Sequence, residues 1–127
     1  MSRSTNTVLA TLLLLVAAPG YASSHVVAIA WTGDGRFSTS VDIEPGKFVE
    51  VCGKLNAGDA IRWAFVASAP LDFNIHFHVG TATEFPAKQT QVSSGEDTLR
   101  IAVREDYCWM WRNASPSQAK VEVSLRH

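Results

Sequence analysis

The sequence predicts an all-β fold, a single antiparallel β-sandwich of about eight strands. No long window of residues 23–127 has apolar residues at helical spacing, whereas short runs of alternating or β-branched residues recur throughout. Turn-forming residues separate these runs at short intervals, which is typical of sandwiches and barrels rather than of α/β folds. The predicted strands cover residues 25–32, 37–43, 47–52, 61–65, 71–79, 98–103, 107–112 and 120–125.

Turn signals bound each predicted strand. In chain order these are Gly33-Asp34-Gly35, Pro45-Gly46, the NAGD sequence at 56–59, Gly80, the SGED sequence at 94–97 and the polar segment 113–118. Residues 81–96 alternate less clearly and contain Pro86, so we predict a long loop there, with one short strand at 89–92. The N-x-S sequon at Asn113 is interpreted as part of a turn.

The N-terminus has the three parts of a secretory signal peptide. Arg3 supplies the positive charge, residues 8–18 form an apolar run of about 11 residues, and the small residues Gly20 and Ala22 suit cleavage after residue 22. That apolar run is shorter than the ~20 residues needed to cross a bilayer. We therefore predict a signal peptide at 1–22 and one domain at 23–127. The protein is expected to be periplasmic or secreted, with no membrane span after cleavage.

The charge balance argues against nucleic acid and anionic lipid as partners. The chain has 11 basic and 12 acidic residues, and Arg3 is the only charged residue that is lost when residues 1–22 are removed. The remaining domain is close to neutral and has no basic stretch. Motifs of common hydrolases and the P-loop are also missing from the sequence. These features favour a non-catalytic binding protein over an enzyme.

The two cysteines, Cys52 and Cys108, have two interpretations. In an oxidising compartment an even number of cysteines favours a disulfide, which would close a long loop and stabilise a small domain by about 4 kcal/mol. Alternatively, two thiolates could bind a soft metal ion.

Segments around these cysteines resemble the GOLD domain, the luminal β-sandwich of cargo receptors that cycle between the ER and the Golgi. The segment 51–61 is similar to the early cysteine, turn and strand of that domain, and 71–75 to its central strand. The segments 106–113 and 120–123 resemble its closing hairpin. The resemblance implies a GOLD-like or jelly-roll-like sandwich with a Cys52–Cys108 disulfide. Because the receptors' coiled coil and membrane helix have no counterpart here, it does not imply cargo transport.

The sequence Asn74-Ile75-His76-Phe77-His78 is the strongest candidate site. On a strand, His76 and His78 point to the same face, with their roots about 7 Å apart, so both can reach one metal ion. Met110 follows Cys108 on a strand whose tryptophans face the other way, and its thioether beside imidazoles would select copper. Periplasmic copper chaperones are similar in these ligand types.

Three functions follow from these patterns. The first is an exported, non-catalytic module that binds copper through His76 and His78, with Met110 as a further ligand. The second is a metal-independent domain that binds an exported protein or peptide through a sheet face or the 81–96 segment. The third is a copper enzyme, which requires cleavage after Ser24, so that His25 becomes the N-terminus and chelates copper together with His76 or His78.

Overall fold

A computed structural model describes residues 25–127, and the predicted signal peptide at 1–22 lies outside this range. The described chain contains no helix, and hence none that could cross a membrane. It forms seven strands, β1 (His25–Ala28), β2 (Arg36–Ile43), β3 (Phe48–Leu55), β4 (Ala60–Val79), β5 (Ala82–Arg100), β6 (Glu105–Arg112) and β7 (Ala119–Arg126).

The strands form one curled sheet in the order β1-β3-β6-β4-β7-β2, with β5 paired to β4. The long strand β4 belongs to both halves of this sheet. Its first part, Arg62 to Ala67, pairs with β7, and its second part, Asp72 to His76, pairs with β6. The two halves share one core, because the ring of Phe65 in the first part contacts Trp111 of β6 at a centroid distance of 5.5 Å.

The core is built from the alternate residues of β2, β3, β4, β6 and β7, as expected for strands with one buried face. The prediction that Trp109 and Trp111 face away from Met110 is confirmed, since both indoles are fully buried. The largest buried side chains are Trp109, Trp111, Phe65, Phe73, Leu55, Ile61, Leu71 and Ile75. The predicted all-β sandwich class is therefore confirmed.

Three details differ from the prediction. The predicted strands 61–65 and 71–79 are one strand, β4. Pro70 does not end this strand, because it is exposed and lies where β4 separates from β7 and where the β4–β5 register is already interrupted. The predicted loop at 81–96 is wrong, since all of these residues after Thr81 belong to β5, which also includes the short strand predicted at 89–92. The sheet is also not purely antiparallel, because β1 is short and pairs with β3 in parallel.

Strand β5 is joined to β4 by a two-residue turn in which Gly80 has a φ of 59°. Most of its side chains are exposed, so an apolar period that would have identified it is missing from the sequence. A bulge at Gln91, whose φ is 53°, interrupts the ladder. The backbone and side-chain nitrogens of Gln91 both donate to the Asp72 carboxylate, at 3.1 and 3.0 Å. This bulge separates the first part of β5, which pairs with the end of β4, from the second part, which pairs with the beginning of β4.

The disulfide between Cys52 and Cys108 is confirmed. The two residues lie directly opposite each other on β3 and β6, with their Cα atoms 4.2 Å apart. The bond therefore links adjacent strands of the same sheet half.

Candidate functional site

The candidate metal ligands lie on the outer face of the sheet formed by β3, β6 and β4. We call this surface the histidine face and define it by Glu50, Asn74, His76, His78, Cys108 and Met110. Two rows of cross-strand neighbours form this surface. In the first row, Glu50 lies opposite Met110, and Met110 lies opposite Asn74. In the second row, Cys108 lies between Cys52 and His76. The predicted alternation of residues 73–76 is correct, because Phe73 and Ile75 face the core.

His76 is more enclosed than an outward-facing residue would be, with 7 % of its surface exposed. Its Nε2 lies 3.3 Å from a carboxylate oxygen of Glu50 on β3, and its Nδ1 lies 2.8 Å from Oδ1 of Asn74 on its own strand. Both ring nitrogens therefore face acceptor oxygens, and a neutral ring can donate its single N–H to only one of them. A metal ion at either nitrogen would have to replace one of these contacts.

The protonation of His76 reflects two opposing effects. Burial lowers the pKa of His76 below 6.5, because the charged ring loses hydration, and nearby His78 lowers it further. The carboxylate of Glu50 acts in the opposite direction. Burial is the largest contribution, so the pKa of His76 is lowered overall, which favours the neutral ring, the form that binds metal ions.

Met110 is half-buried and is held beside His76 by Asn74. The Asn74 Nδ2 donates a hydrogen bond to the Met110 sulfur at 3.7 Å, while the same amide presents its oxygen to His76. The structure thus brings Met110 and His76 together on one face, as the ligand prediction requires. The two side chains are linked through the amide of Asn74.

His78 lies at the exposed end of the histidine face. Its ring centroid is 5.4 Å from that of His76, and its Nδ1 lies 3.2 Å from the Thr83 hydroxyl. Phe85 of β5 lies beside His76 at a centroid distance of 6.1 Å and is itself 47 % exposed. The Lys88 ammonium lies 4.9 Å from the centre of the Phe85 ring. An exposed aromatic ring thus borders His76, and a cation lies over that ring.

Among the described residues, the side chains of Glu50, His76 and Cys108 place potential ligand atoms within 4.8 Å of one another. The sulfur of Cys108 is bonded to Cys52, so it is not a thiolate and is a poor metal ligand in this state. Glu50 was not predicted as a site residue. The alternation of β3 places it outside the core, but the sequence does not show that β6 and β4 lie beside β3.

His25 lies far from His76 and His78. It begins β1, and three strand spacings of about 4.8 Å separate β1 from β4, so His25 is about 14 Å from the line of His76. The shared chelation by His25 and His76 or His78 is therefore wrong for this arrangement of strands.

A second candidate surface is the free edge of β5. Among residues 25–127, β5 pairs only with β4, which leaves its other edge without a neighbouring strand. Its first part carries Pro86, Lys88 and the Gln91 bulge, which are features that discourage pairing with another chain. The part from Ser94 to Arg100 has no proline or bulge and keeps an unbroken register with β4. It carries the charged residues Glu96 and Asp97, and the Asp97 carboxylate accepts a hydrogen bond from the Thr98 N–H at 2.8 Å.

Several solved structures are similar to this chain. The periplasmic inhibitor of g-type lysozyme PliG from Aeromonas hydrophila has a TM-score of 0.58 and 12 % identity, and covers 83 % of this chain and 98 % of its own. A mutant of the Escherichia coli PliG has a TM-score of 0.56 and 11 % identity, covering 82 % and 98 %. The pre-peptidase C-terminal domain of a Bacillus anthracis collagenase has a TM-score of 0.59 and 8 % identity, covering 84 % and 99 %.

No family model and no curated protein matches the chain. Identities of 8–12 % establish a shared fold and nothing finer. The resemblance to GOLD domains stays a prediction. The chain therefore has the β-sandwich fold that PliG inhibitors and a pre-peptidase C-terminal domain also have.

Proposed function

We propose that this chain is an exported, non-catalytic binding module, periplasmic or secreted, whose partner is another exported protein. The free edge of β5 from Ser94 to Arg100 is the observation that carries the proposal. A strand of a partner protein can extend the sheet there, because the outward N–H and C=O groups of an edge strand lack partners from the sheet.

The shape and exposure of this edge support the same function. Seven consecutive residue pairs join Ser94–Arg100 to Ala60–Val66, so the edge is regular over about 20 Å. Most of its side chains are exposed, and Leu99 is half-buried against the core. A partner strand would therefore pair with a regular edge strand that is held in place by its packing against the core.

The structural comparisons add support of a general kind. Two of the similar structures are described as periplasmic inhibitors of g-type lysozyme, and such inhibitors act by binding a protein. The fold is thus compatible with a role as a protein ligand in the periplasm. A g-type lysozyme is the first purified partner to compare with any protein captured by this chain.

Site-specific photo-crosslinking in cells that export the protein tests this function. A photoreactive amino acid is placed at Ser94 or Thr98, and as a control at the exposed Glu122 of β7, which is paired with β2 on one side and with β4 on the other. We expect a discrete crosslinked species from both β5 positions and none from Glu122. Equal labelling at all three positions, or no labelling, would contradict the proposal.

A second candidate function is copper binding at the histidine face. The observation that favours it is the placement of His76, His78 and Met110 on one face, with the two imidazole centroids 5.4 Å apart and the thioether linked to the first histidine through Asn74. Neutral imidazole and thioether together suit copper(I). Glu50 would then be displaced from His76 or would become a further ligand.

Calorimetric titration of the purified protein with copper(I) and copper(II) tests this second function. We expect uptake of about one ion per chain, weakened in parallel by His78→Ala and by Met110→Leu. His78 is exposed, so its replacement should leave folding intact, and His127→Ala serves as a matched exposed control. The absence of uptake would exclude the copper function without affecting the protein-binding proposal.

A further inference from the structure

Three arginines lie side by side across three neighbouring strands of the other half of the sheet. Arg36 of β2 is directly opposite Arg126 of β7, and Arg126 is directly opposite Arg62 of β4. All three are exposed. Residues in such cross-strand positions have Cβ atoms about 4.5–5.5 Å apart, and like charges placed there repel each other.

The row is only partly neutralised within the chain. Arg36 has a carboxylate partner, with its Nε 3.2 Å from Asp34. In the described part of the chain, Arg62 and Arg126 have no carboxylate oxygen within 4 Å. The arrangement thus places two guanidinium groups without a direct carboxylate partner beside each other. Their charge is balanced only at longer range, since Asp34 interacts electrostatically with Arg126 and two further carboxylates line the same surface.

These arginines border a groove with a volume of about 550 Å³. On the same face of the sheet, the neighbouring row of paired residues consists of small side chains, namely Ser38, Ser124 and Ala64. We call this surface the arginine groove and define it by these two rows. Because the small residues leave space at the level of the guanidinium groups, a ligand can approach all three arginines along the sheet surface.

We propose that the arginine groove binds a carboxylate carried by a peptide segment of a partner protein. The partner class rests on the proposed function, whereas the carboxylate chemistry follows from the groove itself. A guanidinium group binds a carboxylate through two parallel N–H···O bonds, and neighbouring guanidinium groups can share one carboxylate. The same carboxylate would relieve the repulsion within the row.

The charges on the β5 side of the groove indicate a peptide rather than a uniform polyanion. Glu96 and Asp97 line the groove beside Thr98, which lies opposite Arg62. A polymer with a negative charge at every unit would be attracted by the arginines and repelled by these two carboxylates. A peptide can present an acidic residue to the arginines and neutral or basic residues to β5.

The groove also adjoins the proposed docking edge. Arg62 lies on β4, one strand away from the free edge of β5, and Thr98 lies between them. A partner strand at that edge would therefore have its flanking residues within reach of the groove. The two surfaces can serve one partner, but each can be tested alone.

The test measures peptide binding to the purified protein by NMR of the backbone amides. The probes are acetyl-(Glu-Gly)3-amide and the matched acetyl-(Gln-Gly)3-amide. We expect the first to shift the amides of residues 36–38, 62–64 and 124–126, and the second to leave them unchanged. The double variant Arg62→Gln/Arg126→Gln should weaken binding at least about tenfold, the change expected for loss of a charge-assisted hydrogen bond. Arg104→Gln, an exposed arginine outside the groove, should bind as the parent does.

A second measurement separates a binding site from ordinary surface charge. If the row is under repulsion, Arg126→Gln should raise the thermal unfolding midpoint at low ionic strength, and added salt should reduce the difference. A lowered midpoint, or equal affinity for the Glu and Gln peptides, would overturn the proposal. Tighter binding of a heparin-derived hexasaccharide than of the Glu peptide, lost in the double variant, would overturn it in favour of a polyanion.

The outcomes also distinguish this proposal from the proposed function. Peptide binding at the groove without any crosslink from Ser94 or Thr98 would retain the groove and reject the docking edge. A crosslinked partner whose yield is unchanged in the Arg62→Gln/Arg126→Gln variant would retain the docking edge and reject the groove.

Discussion

Replacement of Gly95 by alanine tests how closely β5 packs on the core. Gly95 lies opposite Phe65 in the β4–β5 ladder. A Cβ atom added there would lie 2.8 Å from Cε1 of Phe65 and 3.2 Å from Cζ3 of Trp63. Phe65 cannot move away easily, because it is 2 % exposed and packs against Phe73 at a centroid distance of 4.8 Å.

The expected effect combines two opposing contributions. Overpacking of a well-filled core costs about 1–3 kcal/mol, whereas replacement of a strand glycine gains about 0.5–1 kcal/mol from the backbone. The difference between the two contributions is about 0–2.5 kcal/mol, and the close approach to the buried Phe65 ring favours a net destabilisation of about 1–2 kcal/mol. For a domain of this size, each kcal/mol changes the unfolding midpoint by about 4–8 °C. A decrease of roughly 5–15 °C is expected.

Thermal and urea unfolding of the purified protein measure this difference. Gly33→Ala is the matched control, since a Cβ atom at Gly33 would contact nothing within 4 Å and its φ is not positive. A second change, Phe65→Leu, removes buried ring contacts and destabilises the parent, but it should cost less in the Gly95→Ala background, because it also removes the obstructing ring. If Gly95→Ala proves as stable as Gly33→Ala, β5 does not lie against the aromatic core as described.

Three further predictions concern the disulfide, the buried histidine and a buried asparagine. Loss of the bond in Cys52→Ser/Cys108→Ser should lower the free energy of unfolding in urea by about 4 kcal/mol, given the 56-residue separation, and a loss below about 1 kcal/mol would contradict this. Acidification below pH 6.5 should destabilise the protein, because burial lowers the pKa of His76 in the folded state and the unfolded chain therefore takes up the proton first. The urea midpoints at pH 7.5 and pH 5 should differ less in His76→Gln than in the parent. An equal difference in both proteins would refute this explanation. Asn113→Ala should cost about 2–3 kcal/mol, since the fully buried Asn113 amide donates to two backbone carbonyls, and an unchanged urea midpoint would refute it.

The sequence is sufficient to predict strands that have one buried and one exposed face. Tyr107, Trp109 and Trp111 occupy alternate positions of β6, and all three are buried as this pattern predicts. No such alternation identifies β5, which is held by its backbone bonds to β4 and buries few side chains. The prediction is also wrong at Pro70, because the strand continues there while β4 changes its neighbour from β7 to β6.

The candidate sites depend on strand order, which the local sequence does not contain. His76 and Met110 could be chosen from their chemistry and from the alternation of their strands. Glu50 could not be chosen in this way, because its contact with His76 depends on the strand order, in which β6 lies between β3 and β4. The arginine groove was missed for the same reason. Arg36, Arg62 and Arg126 are far apart in sequence and become neighbours through the pairing of β2, β7 and β4.

The position of the disulfide relative to the β4–β5 hairpin affects how the protein would respond to proteolysis. Cys52 precedes this hairpin and Cys108 follows it, while the exposed turn at Gly80 lies between them. A protease that cut this turn would produce two fragments that each contain one half of the covalent bond. The cut protein would stay joined in an oxidising compartment, and its fragments would separate only after both reduction and unfolding. Cleavage at the tip of the hairpin can therefore alter the surface next to His78 without releasing either half of the domain.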